Sequence, residues 1–379
     1  MTLKNRYNLI LFTALLLVSN MQTTSFISLY IINILILGVV CLSIIIINRV
    51  INIKLLIITF IIILFLWIST FLELENGSYS KESVIIIYKK LLLISYWAIL
   101  CSTAISIINK IPEEQISLSL RIIILVMSLY LITQMISFYC FDFRLDFSLL
   151  TGGVPSRSYY GTYRPSGFLP EPSVYSGHMM GLLALYFVYR KKIDAIFIIG
   201  LFSVLLSQST AGIILVFIML IPILGNSFFS KRNFIFIVTL LFITLYLIYP
   251  NLIDRYESFI SGADTSNNLK LDGLYHFAHN NTLFTGFGVI AKDHYSFPTY
   301  YEAIKDYTIF GNIITIYGII IGTLFLFSFI YLTVKSKLSL LYKIVLIIPL
   351  MKLCSPNYSF FFIYLSIYII IMMRQNKIQ

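Results

Sequence analysis

Ile53-Lys-Leu-Leu-Ile-Ile-Thr-Phe-Ile-Ile-Ile-Leu-Phe-Leu-Trp-Ile-Ser-Thr-Phe-Leu72 holds a single charge, Lys54, at its start. At about 1.5 Å per residue, such a run coiled as a helix is ~30 Å long, which matches the hydrocarbon core of a bilayer. The apolar residues are continuous, as Ile61 to Phe65 shows and Ile44 to Ile47 repeats. A lipid-facing barrel strand would alternate instead. Inside lipid the backbone must satisfy its own polar groups, which leaves helices.

Working outward, comparable runs lie near 7–22, 26–47, 84–108, 116–139, 173–189, 194–208, 210–226, 234–250, 309–331, 338–353 and 358–373. The expectation is an all-α polytopic membrane protein of about twelve transmembrane helices with two large extracytoplasmic loops. The segments are 1–139, N-terminal membrane helices; 140–172, a first large loop; 173–250, central helices; 251–308, a second large loop; and 309–379, C-terminal helices. The first run and the 194–226 pair are short for a bilayer. No small-residue cleavage site follows Lys4, Arg6 and the run from Leu9, so the first helix is expected to be retained.

Composition agrees with lipid. Of 379 residues, 59% are hydrophobic and 11% charged, with a mean hydropathy of +0.92. A soluble domain carries about a quarter charged residues. The net charge of +11 would suggest nucleic acid in a soluble chain, but here the bases sit between apolar runs. That is the positive-inside pattern, so no nucleic-acid partner is expected. It puts Lys4, Arg6, Arg49, Lys54, Lys110, Arg190–Lys192, Lys231, Arg232, Lys335, Lys337, Arg374 and Lys377 inside, with both termini cytoplasmic. Reading 194–226 as one helix would place Arg190–Lys192 and Lys231–Arg232 on opposite sides, so two helices fit better.

The inner loops are short and carry no GxxxxGK[ST] or GxGxxG pattern, so no nucleotide cofactor is expected. Cys41, Cys101, Cys140 and Cys354 form no CxxC pair; a Cys140–Cys354 bridge and four small apolar residues are the two readings. All four histidines, His178, His276, His279 and His294, lie in or beside the long loops, and long polar loops carry function.

The most informative stretch is Arg157-Ser-Tyr-Tyr-Gly-Thr-Tyr-Arg164-Pro-Ser-Gly167-Phe-Leu-Pro-Glu171-Pro-Ser173-Val-Tyr-Ser-Gly-His178. Pro165, Pro170 and Pro172 stiffen it, Gly167 permits a conformation other residues avoid, and Ser173 is a candidate N-cap. Arg-Pro-Ser-Gly-Phe-Leu-Pro-Glu-Pro-Ser resembles the Arg-x-x-Gly-x-x-x-Glu-Pro-Ser signature of O-antigen and capsular polysaccharide polymerases of the Wzy type. Ser207-Gln-Ser-Thr-Ala-Gly212, Asn281-Thr-Leu-Phe-Thr-Gly286-Phe-Gly288 and Asp306-Tyr-Thr-Ile-Phe-Gly to Gly322 are similar to further elements of those families, in the same order.

The resemblance implies a glycosyltransferase of the bacterial inner membrane. It would join lipid-linked oligosaccharide repeat units, carried on polyprenyl pyrophosphate, into polysaccharide at the outer face. Its donor bond is already activated, so it would need no nucleotide cofactor, and its partners would be membrane lipid, the lipid-linked units and a chain-length regulator protein. His276 and His279 with nearby Asp272 are the weaker reading as metal ligands, and no metal is expected. An O-antigen ligase passing glycan to lipid A-core and a lipid-linked oligosaccharide flippase are the alternatives. Asp306 and Tyr307 stand where a ligase is expected to carry a histidine.

The residues suit the chemistry. A pyrophosphate leaving group needs cations, and an arginine fork binds phosphate bidentately. Arg144, Arg157, Arg164 and Arg255 are loop arginines, with Arg164 foremost. The family's arginine before the Gly-x-Gly element has Lys270 nearest to its place, with Arg255 the other candidate for the role. The acceptor hydroxyl needs a base. Glu171 leads, beside its reading as a cap or ion-pair partner; His279 and Asp306 follow. His276, three residues before His279, would share a helix side with it and contact pyrophosphate or glycan. Tyr163 would stack on sugar, or belong to an interfacial aromatic belt.

Overall fold

The computed structural model describes residues 3–21, 27–76, 79–145, 158–159, 162–224, 235, 239, 242, 249, 253, 256–258, 260–262, 265–289 and 307–374. In chain order the elements are α1 (Leu3–Ser19), α2 (Ile27–Asn48), α3 (Ile53–Asn76), α4 (Lys81–Ile105), α5 (Glu113–Phe141), β1 (Ser158–Tyr159), β2 (Thr162–Tyr163), α6 (Pro172–Arg190), α7 (Ala195–Leu206), α8 (Thr210–Leu224), α9 (Thr265–His279), α10 (Thr282–Thr285), α11 (Ile309–Lys335), α12 (Leu340–Ile347) and α13 (Ser359–Arg374), with 3-10 turns at Ser106–Asn109 and Ile348–Met351. β1 and β2 form a small antiparallel hairpin, Ser158 opposite Tyr163.

The described residues do not form the twelve expected spans. Among the described residues, four helices are long and apolar enough to cross a membrane: Ile53–Glu75, Lys81–Asn109, Glu113–Phe141 and Ile309–Lys335. Asn5–Ser19, Ala195–Leu206, Thr210–Ile223, Leu340–Met351 and Ser359–Met373 are apolar but have only 10–17 residues. At ~1.5 Å per residue these reach about 15–26 Å, short of the ~30 Å core. α6 has 19 residues, but everything from Tyr175 to Val188 is buried, so protein covers it on all sides. Of the expected span at 234–250, only 235, 239, 242 and 249 are described.

The physical reason for the correction is that apolarity marks burial, and burial in protein looks the same in a sequence as burial in lipid. The resemblance to Wzy-type polymerases implied the many-span architecture. With that gone, the polymerase reading is set aside, and so are the ligase and flippase readings weighed beside it. Four spanning helices still make this a multi-pass membrane protein whose exposed apolar faces take lipid. In α3 and α11 only 33% and 28% of the apolar window is buried, and Ile320, Leu324, Phe327, Tyr331 and Val334 form an exposed stripe along α11.

The chain divides into two compact units: Met1–Val50, Ile107–Leu252 and Ser339–Leu353, and Ile51–Ser106, Ile253–Leu338 and Cys354–Gln379. In the first, α6 is the central helix, packed by α5, α7, α8, α12 and the Ile348–Met351 turn, while α1 lies on α2 and α5. The break between α7 and α8 falls at Ser207–Ser209, where Gln208 has φ +52°. In the second, α4 packs on α3 and α13, and α11 packs on α3, α10 and α13. Trp67 Nε1 donates to Ser95 Oγ at 3.1 Å across α3 and α4. Cys140 and Cys354 are free thiols, and Cys354 Sγ donates to Tyr307 O at 2.7 Å, so the bridge is not formed. Asp306 lies outside the described residues; Thr308 caps α11, accepting from the Gly311 amide.

α11 is interrupted at Gly318, with φ 76° and ψ 169°. The amides of Phe287 and Gly288 donate to the carbonyls of Thr315 and Ile316 at 2.8 and 3.0 Å. Val289 N donates to Thr70 Oγ1 of α3 at 3.0 Å. A Cβ on Gly286 would strike the Ile316 carbonyl, and one on Gly318 would strike the Phe284 carbonyl. Both glycines also have positive φ, which penalises any side chain. Gly318→Ala and Gly286→Ala are each expected to destabilise by about 2–6 kcal/mol, adding strain to overpacking. Gly262→Ala shares the positive φ, but nothing lies within 4 Å of its would-be Cβ, so it should cost only ~1–2 kcal/mol. Melting followed by Trp67 and Trp97, both in this unit, checks the order; equal losses in all three variants would exclude the packing account.

Candidate functional site

The segment from Tyr163 to Glu171 is fastened along one face of α5. Tyr163, fully buried, stacks on Phe138 with centroids 4.7 Å apart. Gly167 N donates to Gln134 Oε1 at 2.9 Å, and Phe168 stacks on Tyr130 at 4.3 Å. Positions 130, 134 and 138 are four apart, so they line one side of a helix. Gln134 is wholly buried, and its Nε2 donates to Leu145 O at 2.9 Å. The segment turns at Ser166, whose carbonyl accepts from Leu169 N at 3.1 Å. Gly167 sits at the bend with φ +63°. A Cβ there would come 2.9 Å from the Tyr175 ring.

This anchoring leads into α6. Glu171, in extended conformation, is the N-cap residue and Pro172 follows at the first helical position, where its missing amide costs nothing. The cap is therefore two residues before Ser173. The first turn of α6 holds no acidic residue, and the carboxylate of the N-cap Glu171 is the anion that stands at this end of the helix dipole. Arg164 and Glu171 are both half-buried, at either side of the Gln134-pinned turn. Arg144 adds a cation on the same α5 face, its guanidinium 5.9 Å from the Phe138 ring that also carries Tyr163.

Beneath the turn runs a buried polar seam. Tyr175 Oη donates to Ser203 Oγ at 2.8 Å. Ser128 Oγ also donates to Ser203 Oγ, at 3.2 Å, and Ser203 Oγ itself donates to Gly200 O at 2.8 Å. Ser176 and Ser207 share a hydrogen bond of 3.1 Å. A Cβ on Gly212 would lie 2.7 Å from Ser176 Cβ, so the α7–α8 turn can approach α6 only with glycine there. His178, 1% exposed, holds Nδ1 2.9 Å from Asn20 Oδ1. An amide oxygen only accepts, so the ring proton is on Nδ1.

The other expected site residues belong elsewhere. Lys270, His276 and His279 stand on α9 in the second unit. Lys270 is half-buried, and its carbonyl accepts from Tyr307 Oη at 2.7 Å. Burial pushes that phenol up to about 12, so it remains a donor at physiological pH. His279 is exposed, stacked on Tyr275 at 4.1 Å, with Nδ1 donating to Tyr275 O at 2.8 Å. His276 meets Tyr275 edge-on at 5.7 Å. Arg157, Arg255 and Asp306 lie outside the described residues. Among the described residues no group of three metal-ligating side chains occurs. Tyr163 has no exposed ring face for sugar. The structure thus brings Arg164 and Glu171 onto one anchored segment and adds Gln134 and Arg144. Gln134 was visible as an amide in an apolar run, but its partner is 33 residues away.

Comparison with protein-family models, with curated proteins and with solved structures found no match for this chain.

Gln134→Leu removes the side chain that ties Gly167 and Leu145 to α5. It should cost about 1–3 kcal/mol and speed amide exchange at Gly167 and Leu169. Unchanged exchange at both would show that the aromatic stacks alone hold the segment.

Proposed function

We propose that this protein is a membrane-embedded glycosyltransferase that draws a glycan donor from a phosphate-bearing lipid carrier at the Arg164–Glu171 segment. One observation carries the reading: a cation and a carboxylate flank a turn pinned to α5 at every fourth residue, at the N-terminus of a buried helix free of acids in its first turn. Arg164, seconded by Arg144, would hold the carrier phosphate. Glu171 would accept the proton of an acceptor hydroxyl as that oxygen bonds the anomeric carbon. The anomeric C–O bond to phosphate breaks, and the carrier phosphate leaves with the electron pair. A bilayer-held donor suits a multi-pass protein with lipid-facing helices.

The bases flanking the spanning helices favour one orientation. Arg49 and Lys54 stand at the start of α3, Lys110 beyond α4, and Lys335 and Lys337 at the end of α11. These ends would face the cytoplasm, with both termini, in a bacterial inner membrane.

The test uses purified protein in nanodiscs with a radiolabelled prenyl-pyrophosphate-linked glycan, reading release of the carrier phosphate and transfer to an added sugar. Arg164→Ala should lower kcat/KM by about 10²–10³, with Arg164→Lys between it and the parent. Glu171→Gln should lower kcat by about 10²–10⁴ with its melting midpoint retained. Arg144→Ala should raise KM more than it lowers kcat. Parent-like turnover in both Arg164→Ala and Glu171→Gln would remove this segment from the chemistry.

A further inference from the structure

α9 is too short and too polar to span a bilayer. Its 15 residues reach about 22 Å, and they include Asn267, Asn268, Lys270 and Asp272. Yet it exposes large apolar side chains: Leu271 at 61%, Leu274 at 43% and Tyr275 at 60%. With about 3.6 residues per turn, the helix from Asn268 onward resolves into three sectors, and Asn267, one turn before Leu271, falls on the side of Leu271, Leu274 and Ala278. Gly273 and Phe277 form the buried one, with Phe277 against Phe287 at 5.9 Å and Leu283, Tyr307 and Ile314 around them. Leu271, Leu274, Tyr275 and Ala278 form an exposed apolar sector. Asn268, Asp272, His276 and His279 form a polar one, of which Asn268, Asp272 and His279 are exposed.

Its anchorage sets its level. Tyr307 Oη donates to Lys270 O at 2.7 Å, and Tyr307 stands two residues before Ile309, where membrane-crossing α11 begins. α9 is therefore fastened to the end of a spanning helix within the same unit. Exposed apolar side chains continue on the elements to which it is tied. Phe284 on α10 is 61% exposed, and on the same half of α11 Phe310 is 36%, Ile319 41% and Ile320 57% exposed.

We infer that α9 lies in the membrane–water interface, with its Leu271–Leu274–Tyr275 sector seated on bilayer lipid. An amphipathic helix with one apolar flank and one polar flank occupies that position. Tyrosine favours that depth because its ring is apolar and its hydroxyl polar. The α10 and α11 helices to which α9 is tied also expose large apolar side chains, and that favours lipid over a protein partner. Lys270 and Asp272 offset each other, so attachment rests on apolar burial and not on anionic headgroups. The inference stands apart from the proposed transferase chemistry and concerns the other unit.

The test places single nitroxide labels at residues 268, 271, 272, 274 and 275 in a Cys140→Ser background, using the full chain in phosphatidylcholine vesicles. Asn268, whose Nδ2 donates to Gly262 O at 2.8 Å, and Tyr275, which stacks on His279, have side-chain partners to lose, so each variant is taken only with a parent-like melting midpoint. Labels in Leu271→Cys, Leu274→Cys and Tyr275→Cys should show an oxygen-to-nickel-chelate collision ratio several-fold above those in Asn268→Cys and Asp272→Cys. In the unmodified chain, phosphatidylcholine with a photoactivatable acyl chain should label the peptide holding Leu271 to Tyr275. One common ratio at all five positions would mean that the sector faces water. Protection from both reagents at 271, 274 and 275 would mean that protein covers it. Either result, or no acyl-chain label on that peptide, overturns the inference.

Discussion

A membrane-crossing helix interrupted within its length leaves carbonyls facing the gap, and lipid offers them no donor. In α11 those carbonyls are Thr315 and Ile316, and the amides of Phe287 and Gly288 meet them. An unmet backbone group in an apolar setting costs several kcal/mol, so the break in α11 and the docking of residues 286–289 are one event. The close approach excludes a Cβ at Gly286 and Gly318, and Gly288 passes 2.5 Å, measured from its would-be Cβ, from the Thr70 backbone. The placement of α3, α10 and α11, and of α9 beyond them, follows from that backbone pairing.

The first unit meets the same demand with side chains. Its central helix α6 is surrounded by protein, so polar groups there find partners across helix pairs. Gln134 serves the Gly167 turn from α5, Ser203 on α7 accepts from both Tyr175 and Ser128, and Ser207 meets Ser176. Hydrogen bonds of this kind are modest singly. Satisfied together inside an apolar bundle, they specify one arrangement, because any slip of a helix would strand several polar groups at once.

That rigidity is what gives the Arg164–Glu171 segment its chemical interest. A cation and a carboxylate on a floppy loop would sample many positions. Here two ring stacks and an amide pair hold the intervening chain along three successive turns of α5. Preorganised charge stabilises a reaction better than mobile charge, since nothing must be reordered as the bond breaks.

The sequence by itself determined the helical class, the membrane setting and most helix limits, because continuous apolar runs and flanking bases are local signals. It marked the α7–α8 break through the bases on either side, and proline and glycine placement drew attention to the Arg164–Glu171 stretch, while Gly286 and Gly288 came into view only through the resemblance to a polymerase signature. Only the tertiary structure decided which apolar runs face lipid and which face protein, so an expectation of about twelve spans reduced to four among the described residues. It also decided that Tyr163 is a core residue, that Gln134 holds the site's turn, and that α11 breaks at Gly318. The physical reason is shared: each depends on what lies across from a residue, and side-chain or backbone partners 33 residues away for Gln134 and 219 for Thr70 leave no trace in local composition.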